Sequence, residues 1–565
     1  MPKSLGETIK LRQKQMEEVK NDYEARDADV AKFVNPRREL IKDSQRFDNK
    51  GDARGKSSYS GIPSSALGIW TDGMQGHMVS RSLRWFMSQL GHPTLSRNDE
   101  IQAYLQSYDE AMYGEFNRSN FYAILGEWFR DAGSIGTAPL YTEEDIGRGN
   151  AIMTPIHLRE IFIAENRYGE VDTTHRKFFL TARQAVDKFG TERLHQSIID
   201  NAEKHPEKRH EFLHAVFPNT ERMYGSLLSE NKPIASVYLQ SQGRADITDG
   251  MVVKKSGYDV DPYAVWRHRK NSDEIYGYSP AHDAMVSIKK IHQMDKTLLQ
   301  AAHLAVEPAL NVPENMRGSN ELNKPNGRNY FEAGGDKASA IHNGSNYPIG
   351  VDREERIQKI IEDKYRVEFF MILARAEREM TAYEIAERQS EKAVLLGPQV
   401  DRLEQEGLSK VFDVVADIAD NAGRLPEPPQ ILIDAAEEAK ATGRPPILIK
   451  PTFTGPLAIA QKMAFSLRPI KNYINEISQV SVVVPAVLDH IHPDRLNEAI
   501  VDAVQPPMNI LRTKDEVQEK RDADAAAIAQ QQQQEMLQGA AEAYPKLTSA
   551  PDEGSPAEAI GAQLG

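Results

Sequence analysis

From Pro280 to Glu307 the chain contains no glycine and no second proline, with Ser279-Pro280 at one end and Glu307-Pro308 at the other. Serine is a strong N-cap type, proline suits the first turn of a helix, and a later proline cannot continue one. The stretch therefore predicts a single helix of about 25 residues, roughly 37 Å long at 1.5 Å per residue. Ile288, Ile291, Met294, Leu298 and Ala302 form an apolar stripe along it, one that could seal against the helix of a neighbouring subunit. Lys289, His292 and Lys296 recur at three-to-four spacing on a second face.

Composition removes several function classes. The 565 residues, 40% hydrophobic and 27% charged, are enough for several domains with ample core. No window approaches the run of about 18 to 20 apolar residues that a membrane span needs, so no membrane partner is expected. The opening MPKSLGETIKLRQKQMEEVK is charged and helix-like, so it does not read as a secretory signal. With no cysteine there is no disulfide framework, no thiolate zinc site and no cysteine nucleophile. Sixty-nine basic against 83 acidic residues give a net charge of −14, which argues against a protein whose main task is to grip nucleic acid through its phosphates.

The first forty residues read as helix, with Ile9, Met16, Val19 and Tyr23 on one face and an end near Asn35-Pro36. Residues 43–60 read as a surface loop. A helical zone starts at Pro63, runs toward the segment RSLRWFMSQL, and continues through Tyr104, Tyr108, Met112 and Phe116. Trp70, Trp85, Phe86, Trp128 and Phe129 are expected in the core rather than as base-stacking platforms. Residues 133–138 hand over to strands. From Tyr141 to about Val253 the pattern is mixed, with apolar alternation around an Arg167-Tyr168-Gly169 turn, a helix starting at Thr181, and further strands in PIASVYLQ and PYAVWRHRK.

Beyond the long helix, residues 308–348 are rich in Asn, Gly and Pro. A helix resumes near Val351, and a third, from Met380 to Gly423, is expected to bend or break at Gly397-Pro398. Residues 423–462 suggest two proline-bounded strands, after which helices return. A low-complexity helix containing the run Gln530–Gln534 follows, and residues 545–565 read as a small, polar, disordered tail.

One stretch tempts a catalytic reading. His210, Glu211 and His214 match the H-E-x-x-H pattern of zinc proteases, which needs an uninterrupted helix. Here Pro206 and Pro218 bracket it and FLHAVFP alternates as a half-buried strand does, so we read a strand and no metalloenzyme. The glycines near Gly147 lack the dinucleotide spacing, those near Gly334 lack the phosphate-loop spacing, and no serine sits in a nucleophile elbow. The sequence points to no enzyme, no cofactor and no metal.

Five segments in order carry a family resemblance: GIPSSALGIWTDGMQGHMVSRSLRWF, SNFYAILGEWFRDAGSIGTAPLY, FIAENRYGEVDTTHR, YGYSPAHDAMVSIKKIHQMDKTLLQAAHLAVEPAL and MTAYEIAERQSEKAVLLGPQVDRLEQEGL. With them the chain resembles the portal, or head-to-tail connector, proteins of short-tailed bacteriophages over nearly its whole length. The resemblance implies a fold that is mainly α with an α+β portion, organised as wing, stem, clip and crown and assembled as a ring, a homododecamer, at one vertex of the virion capsid after assembly in the host cytoplasm. Its implied partners are the terminase packaging motor, tail adaptor proteins, major capsid and scaffolding proteins, and double-stranded DNA passing non-specifically during packaging and ejection. A capsid or scaffold component is the alternative of the same structural kind.

Carried onto this chain, the resemblance places the wing at 1–275 and 384–490, the stem helices at 276–303 and 351–373, and the clip at 304–350. A tunnel loop region would fall at 374–383, crown helices at 491–545 and a tail at 546–565. Lys289, His292, Lys296, Arg375 and Arg378 become candidates to face a DNA channel, and Arg317, Asn320, Lys324, Asn326 and Arg328 candidates for a docking surface on the clip. An acidic chain suits a wall that lets DNA pass, because each phosphate it neutralised would add affinity and hence drag.

Overall fold

The computed structural model describes residues 4–39, 55, 58–92, 95–145, 147–223, 225–226, 228–244, 246–247, 249–306, 310–311, 339–340, 347–375, 397–455, 468–481, 490–504, 512 and 514–547. The chain divides into a unit spanning 1–504 and a second spanning 505–565, and each is described by itself. It is mostly helical with antiparallel sheets.

Helix α1 (Leu5–Phe33) begins with a reciprocal cap: Ser4 Oγ accepts from Glu7 N–H while the Glu7 carboxylate accepts from Ser4 N–H. Its buried face is Ile9, Gln13, Met16, Lys20, Asp27 and Val30; Val19, expected on that face, is 41% exposed. Three polar residues on the buried stripe, Gln13, Lys20 and Asp27, shift its phase; Gln13 Oε1 lies 2.9 Å from His175 Nδ1, and the partners of the other two appear below.

Helices α2 (Ile62–Met78), α3 (Asp99–Arg118) and α4 (Phe121–Ser134) build the principal core. As expected, Trp70, Trp85, Phe86, Trp128 and Phe129 lie inside it, none more than 1% exposed. Phe86, however, belongs to a strand and not to a continued helix. Strand β1 (Phe86–Leu90) pairs antiparallel with β12 (Ile449–Phe453), in register from Phe86↔Phe453 to Leu90↔Ile449. Five residues are too few to fix a period, and the partner strand lies far away in the sequence.

A three-stranded sheet, in the order β3-β2-β9, contains β2 (Thr137–Glu144), β3 (Ala151–Pro155) and β9 (Tyr263–Arg267). The five-stranded sheet runs in sequence order: β4 (Ile161–Glu165), β5 (Val171–Thr181), β6 (Arg209–Pro218), β7 (Ile234–Gln240) and β8 (Val252–Tyr258). The expected turn sits between β4 and β5, with Gly169 at φ +80°. Thr181 caps α5 (Ala182–Phe189), with Gln184 closing a capping box, and α6 (Gln196–Lys204) follows.

The long helix α7 spans Pro280–Val306 and packs against α8 (Tyr347–Lys364); the two-residue strands β10 (Leu310–Asn311) and β11 (Ser339–Ala340) pair beyond it. The helix expected from Val351 is divided: α8 ends at Lys364, Arg366 takes a left-handed φ of 54°, and α9 (Val367–Arg375) starts again. Helix α10 (Gly397–Arg402) passes through a π-helical turn, Leu403–Leu408, into α11 (Ser409–Asn421). Helix α12 (Gln430–Ala441) corrects the first of the two strands expected in 423–462; an Ala-, Glu- and Lys-rich continuation outweighs the apolar Ile431-Leu432-Ile433 start. β12 is the second. Helices α13 (Arg468–Ser481) and α14 (Pro493–Val504) complete the first unit, and the second contains α15 (Lys514–Leu547).

Helix α2 approaches α9 closely enough to require glycine. A Cβ on Gly73 would sit 2.2 Å from Phe370 Cδ1, and Phe370 is itself buried. Gly73→Ala should therefore destabilise by about 1–3 kcal/mol through overpacking. Gly76→Ala, one turn on and with nothing within 4 Å, should be neutral or stabilise by about 0.5–1 kcal/mol. Comparing the two melting temperatures checks this; equal shifts would contradict the close packing of α2 on α9.

Candidate functional site

The long helix α7 is fixed at its base by the types of residue that begin it. Ser279 Oγ accepts from Ala281 N–H at 3.1 Å and contacts the Ser134 carbonyl at the end of α4. His282 Nδ1 accepts from Ser279 N–H at 3.0 Å, so the imidazole fills the reciprocal half of a capping box. With Nδ1 an acceptor, the proton belongs on Nε2, which lies 3.1 Å from Asp27 Oδ1 on α1. Asp27 is 1% exposed and also accepts from Arg26 Nε at 3.0 Å.

Ser279, His282 and Asp27 have the residue types of a hydrolytic triad. Ser279 has no exposed surface, so a substrate cannot reach its hydroxyl. The set is a clamp on a helix start, and it joins α1, α4 and α7.

Two further bonds hold the segment before the helix. Gly277 N–H donates to Thr137 Oγ1 at 2.9 Å, and Arg26 Nη2 donates to the Gly277 carbonyl at 3.0 Å. Gly136, at φ +86°, lies so close that a Cβ there would meet the Tyr278 backbone at 2.5 Å. Both the backbone angle and the contact demand glycine.

The first part of the apolar stripe is buried within the chain's own core: Ile288 and Ile291 are fully buried, in one cluster with Ile357 and Ile361 of α8, and Met294 packs against it, while Leu298 and Ala302 are only half-buried. On the adjoining face, Lys289 pairs with Asp29 of α1 at 2.6 Å, both half exposed, and Lys296 Nζ lies 5.4 Å from the centre of the Tyr59 ring. His292 is 3% exposed. Its Nδ1 accepts from Tyr59 N–H at 3.1 Å and Ser60 N–H at 3.2 Å, and its Nε2 donates to the Phe33 carbonyl at 3.1 Å. Burial lowers its pKa from the usual histidine value, which keeps it neutral. The three residues expected on one face are thus together, and they are turned toward α1 and the Tyr59 segment.

Across the α7–α8 contact, burial and then the charge of Asp295, with which it shares a hydrogen bond, raise the pKa of Glu354. Arg375 is the last residue of α9, and only its backbone is described. Arg378 and the clip candidates Arg317, Asn320, Lys324, Asn326 and Arg328 lie outside the described residues, as does most of 304–350 and of 374–396.

Sequence reasoning missed a second anchor. Arg267, at the end of β9, is 1% exposed. It holds Glu406 through Nε at 3.1 Å and Nη2 at 2.6 Å, and it also reaches Glu165, the Ile275 carbonyl at 3.2 Å and the Gly169 carbonyl at 3.0 Å. Lys270 pairs with Glu165 and Arg402 with Glu406, each at 2.6 Å. Burial lowers the Arg267 pKa, but the bonds and charge of Glu406 and Glu165 outweigh that and leave it raised. No motif signals the site, because Glu406 comes to it only through the π-helical turn.

The His210-Glu211-His214 stretch lies on strand β6, as its alternation indicated. His214 is 1% exposed and stacks on Tyr238 with ring centres 4.0 Å apart. Its Nδ1 meets the Tyr263 hydroxyl at 2.8 Å and its Nε2 the Ser236 hydroxyl at 2.9 Å, so both nitrogens are used. Among the described residues no three His, Asp or Glu side chains are placed to hold a metal ion, and no helix is long and apolar enough to cross a membrane.

Residues 6–511 match the family described as bacteriophage head to tail connecting protein. A portal protein of Salmonella phage epsilon15 is 27% identical over 556 residues, covering 96% of both chains. A probable portal protein of Bordetella phage BPP-1 is 26% identical over 502 residues, covering 86% of this chain and 85% of the relative.

Proposed function

This chain belongs to the bacteriophage head-to-tail connecting proteins and is a structural portal protein of the virion, and from that premise we propose how it works. It associates with capsid and tail as a ring. In our reading the ring is a dodecamer that forms a DNA channel at one vertex, docks the terminase motor during packaging and tail adaptors afterwards, and passes the genome outward at ejection. Major capsid and scaffolding proteins complete the partners, assembly takes place in the host cytoplasm, and the role is structural rather than catalytic.

The observation that carries this reading is full-length similarity in both directions, 96% of this chain and 96% of the epsilon15 portal protein. The geometry adds a mechanism. A conduit needs a wall that does not yield to the passing polymer, and α7 is clamped at its base by α1 and α4 and backed at Ile288 and Ile291 by α8. We assign 276–303 and 351–373, which α7, α8 and α9 largely occupy, to the stem, 304–350 to the clip, 374–383 to the tunnel loop, 491–545 to the crown, and 1–275 with 384–490 to the wing. Arg375 and Arg378 remain candidates to meet DNA, and Arg317, Asn320, Lys324, Asn326 and Arg328 to meet motor and tail.

The net charge of −14 supports passage over grip. Negative-stain images of the purified full-length chain test the proposal. Closed rings with a central hole are the expected result; monomers or open shells would overturn it in favour of another virion component.

A further inference from the structure

The structure fixes the rotation of α7 about its own axis, which the sequence left open. We infer that the face of α7 that meets passing duplex DNA is Val286, Lys290, Gln293, Thr297 and Gln300, not the face bearing Lys289, His292 and Lys296. This rests on the channel reading above and names the surface within it.

The five residues fall within an arc of about 80° at 100° per residue, opposite the buried ridge Ala284, Ile288 and Ile291. Four of them are exposed polar residues, and Val286 is 68% exposed, an apolar side chain that the chain's own fold leaves uncovered. Turning α7 to present Lys289 and Lys296 instead would break the three hydrogen bonds of His292 and the Lys289–Asp29 pair, and would lift Ile288 and Ile291 out of the core. The helix is held in one phase.

Charge selects the occupant. No exposed residue of α7 from Val286 to His303 is acidic, although the whole chain is acidic; Asp295, the one carboxylate there, is turned to Glu354. A face of one lysine, two amides and one hydroxyl tolerates phosphates and donates weak, exchangeable hydrogen bonds. It offers little counterion release per phosphate, so it does not hold the duplex in place. The exposed face of α8 is different: Asp352, Arg353, Glu355, Arg356, Lys359 and Asp363 interleave both signs, the pattern suited to ion pairs with a neighbouring copy of the chain. Duplex DNA therefore fits α7, and protein fits α8.

The test uses full-length chains with Lys290→Glu and Thr297→Glu together, against Lys289→Glu and Lys296→Glu together. Rings are scored by electron microscopy, and nuclease-protected DNA per particle is measured after complementing a phage that lacks the gene. The first pair should form rings yet reduce protected DNA by about tenfold or more, because a ring of carboxylates repels the duplex, while the second pair should change it by less than about twofold. An equal or larger loss from the second pair overturns the inference.

Because the chain has no cysteine, Gln293→Cys gives an independent readout. In the assembled ring it should react with a soluble maleimide. Protection from the reagent, or disulfide-linked dimers on oxidation, would place the face between subunits and overturn the inference while leaving the ring intact. Failure of the unaltered chain to form rings would instead remove the channel reading.

Discussion

Replacing Arg267 with methionine should cost about 3–5 kcal/mol, at the lower end because its partners are not wholly buried. Methionine keeps much of the volume and removes every side-chain donor. Glu406 would lose the guanidinium fork and keep Arg402 and the backbone N–H of residue 267, Glu165 would keep Lys270, and the carbonyls of Gly169 and Ile275 would each lose a donor. The two carboxylates are 18% and 16% exposed, so water relieves part of the penalty. Arg267→Lys should recover only a fraction, since an ammonium cannot donate to Glu406 in two places and still reach Glu165.

Denaturation of the purified chain followed by circular dichroism gives the comparison as a shift in midpoint. Combining Arg267→Met with Glu406→Gln should cost less than the two single losses added together, because the second change removes the charge that the first leaves unpaired. A loss under about 1 kcal/mol for Arg267→Met would show that the network does not tie β9 and the β4–β5 turn to the π-helical turn. That tie bears on function through position. The turn, Leu403–Leu408, follows α10 inside the 384–490 assigned to the wing, so it anchors the wing segment that comes after the region assigned to the tunnel loop.

The difference between what was legible and what was not follows the distance over which each feature is decided. The start of α7, the cap at Thr181 and the turn at Gly169 are set by residues within three or four positions of each other, and each stands where the sequence placed it. Strand β1 needed β12, and the helix Gln430–Ala441 begins with three apolar residues that mimic a strand. For the candidate site, the sequence supplied the helix and its lysines but not its rotation. The face of α7 that is covered depends on Phe33, Asp29 and Tyr59, which lie hundreds of residues away along the chain. The same holds for Gln13, Lys20 and Asp27, polar residues on the buried face of α1 that amphipathic spacing reads as solvent-facing.

Lys20 makes the last of these testable by pH. Its side chain is 2% exposed, with Nζ donating to the carbonyls of Leu158 and Ile161 and lying 4.2 Å from the centre of the Phe162 ring. Burial lowers its pKa to about 7 from 10.5, against the opposing pull of Glu24, Asp27, Glu17 and Glu160. Between these values the unfolded chain holds a proton that the folded chain has released, so folding loses ground as pH falls from about 10 to about 7. Below about 7 both states carry the proton and the penalty is constant. At about 1.4 kcal/mol per unit, the full range amounts to at most about 5 kcal/mol.

Lys20→Met removes the titration but leaves the two carbonyls without a donor, at about 1–3 kcal/mol each. The variant should therefore be less stable than the parent at pH 9.5, where the parent's amine is neutral and still donates. It should close that gap, or reverse it, at pH 7. The measurement is the difference between the two midpoints across that range, because Lys10, whose pKa is also lowered by burial, contributes equally to both chains. A difference that stays constant with pH would mean that Lys20 keeps its proton when buried. α1 would then be held to the sheet by an ammonium with the charge of Glu24 and Asp27 to balance it, and not by a neutral amine.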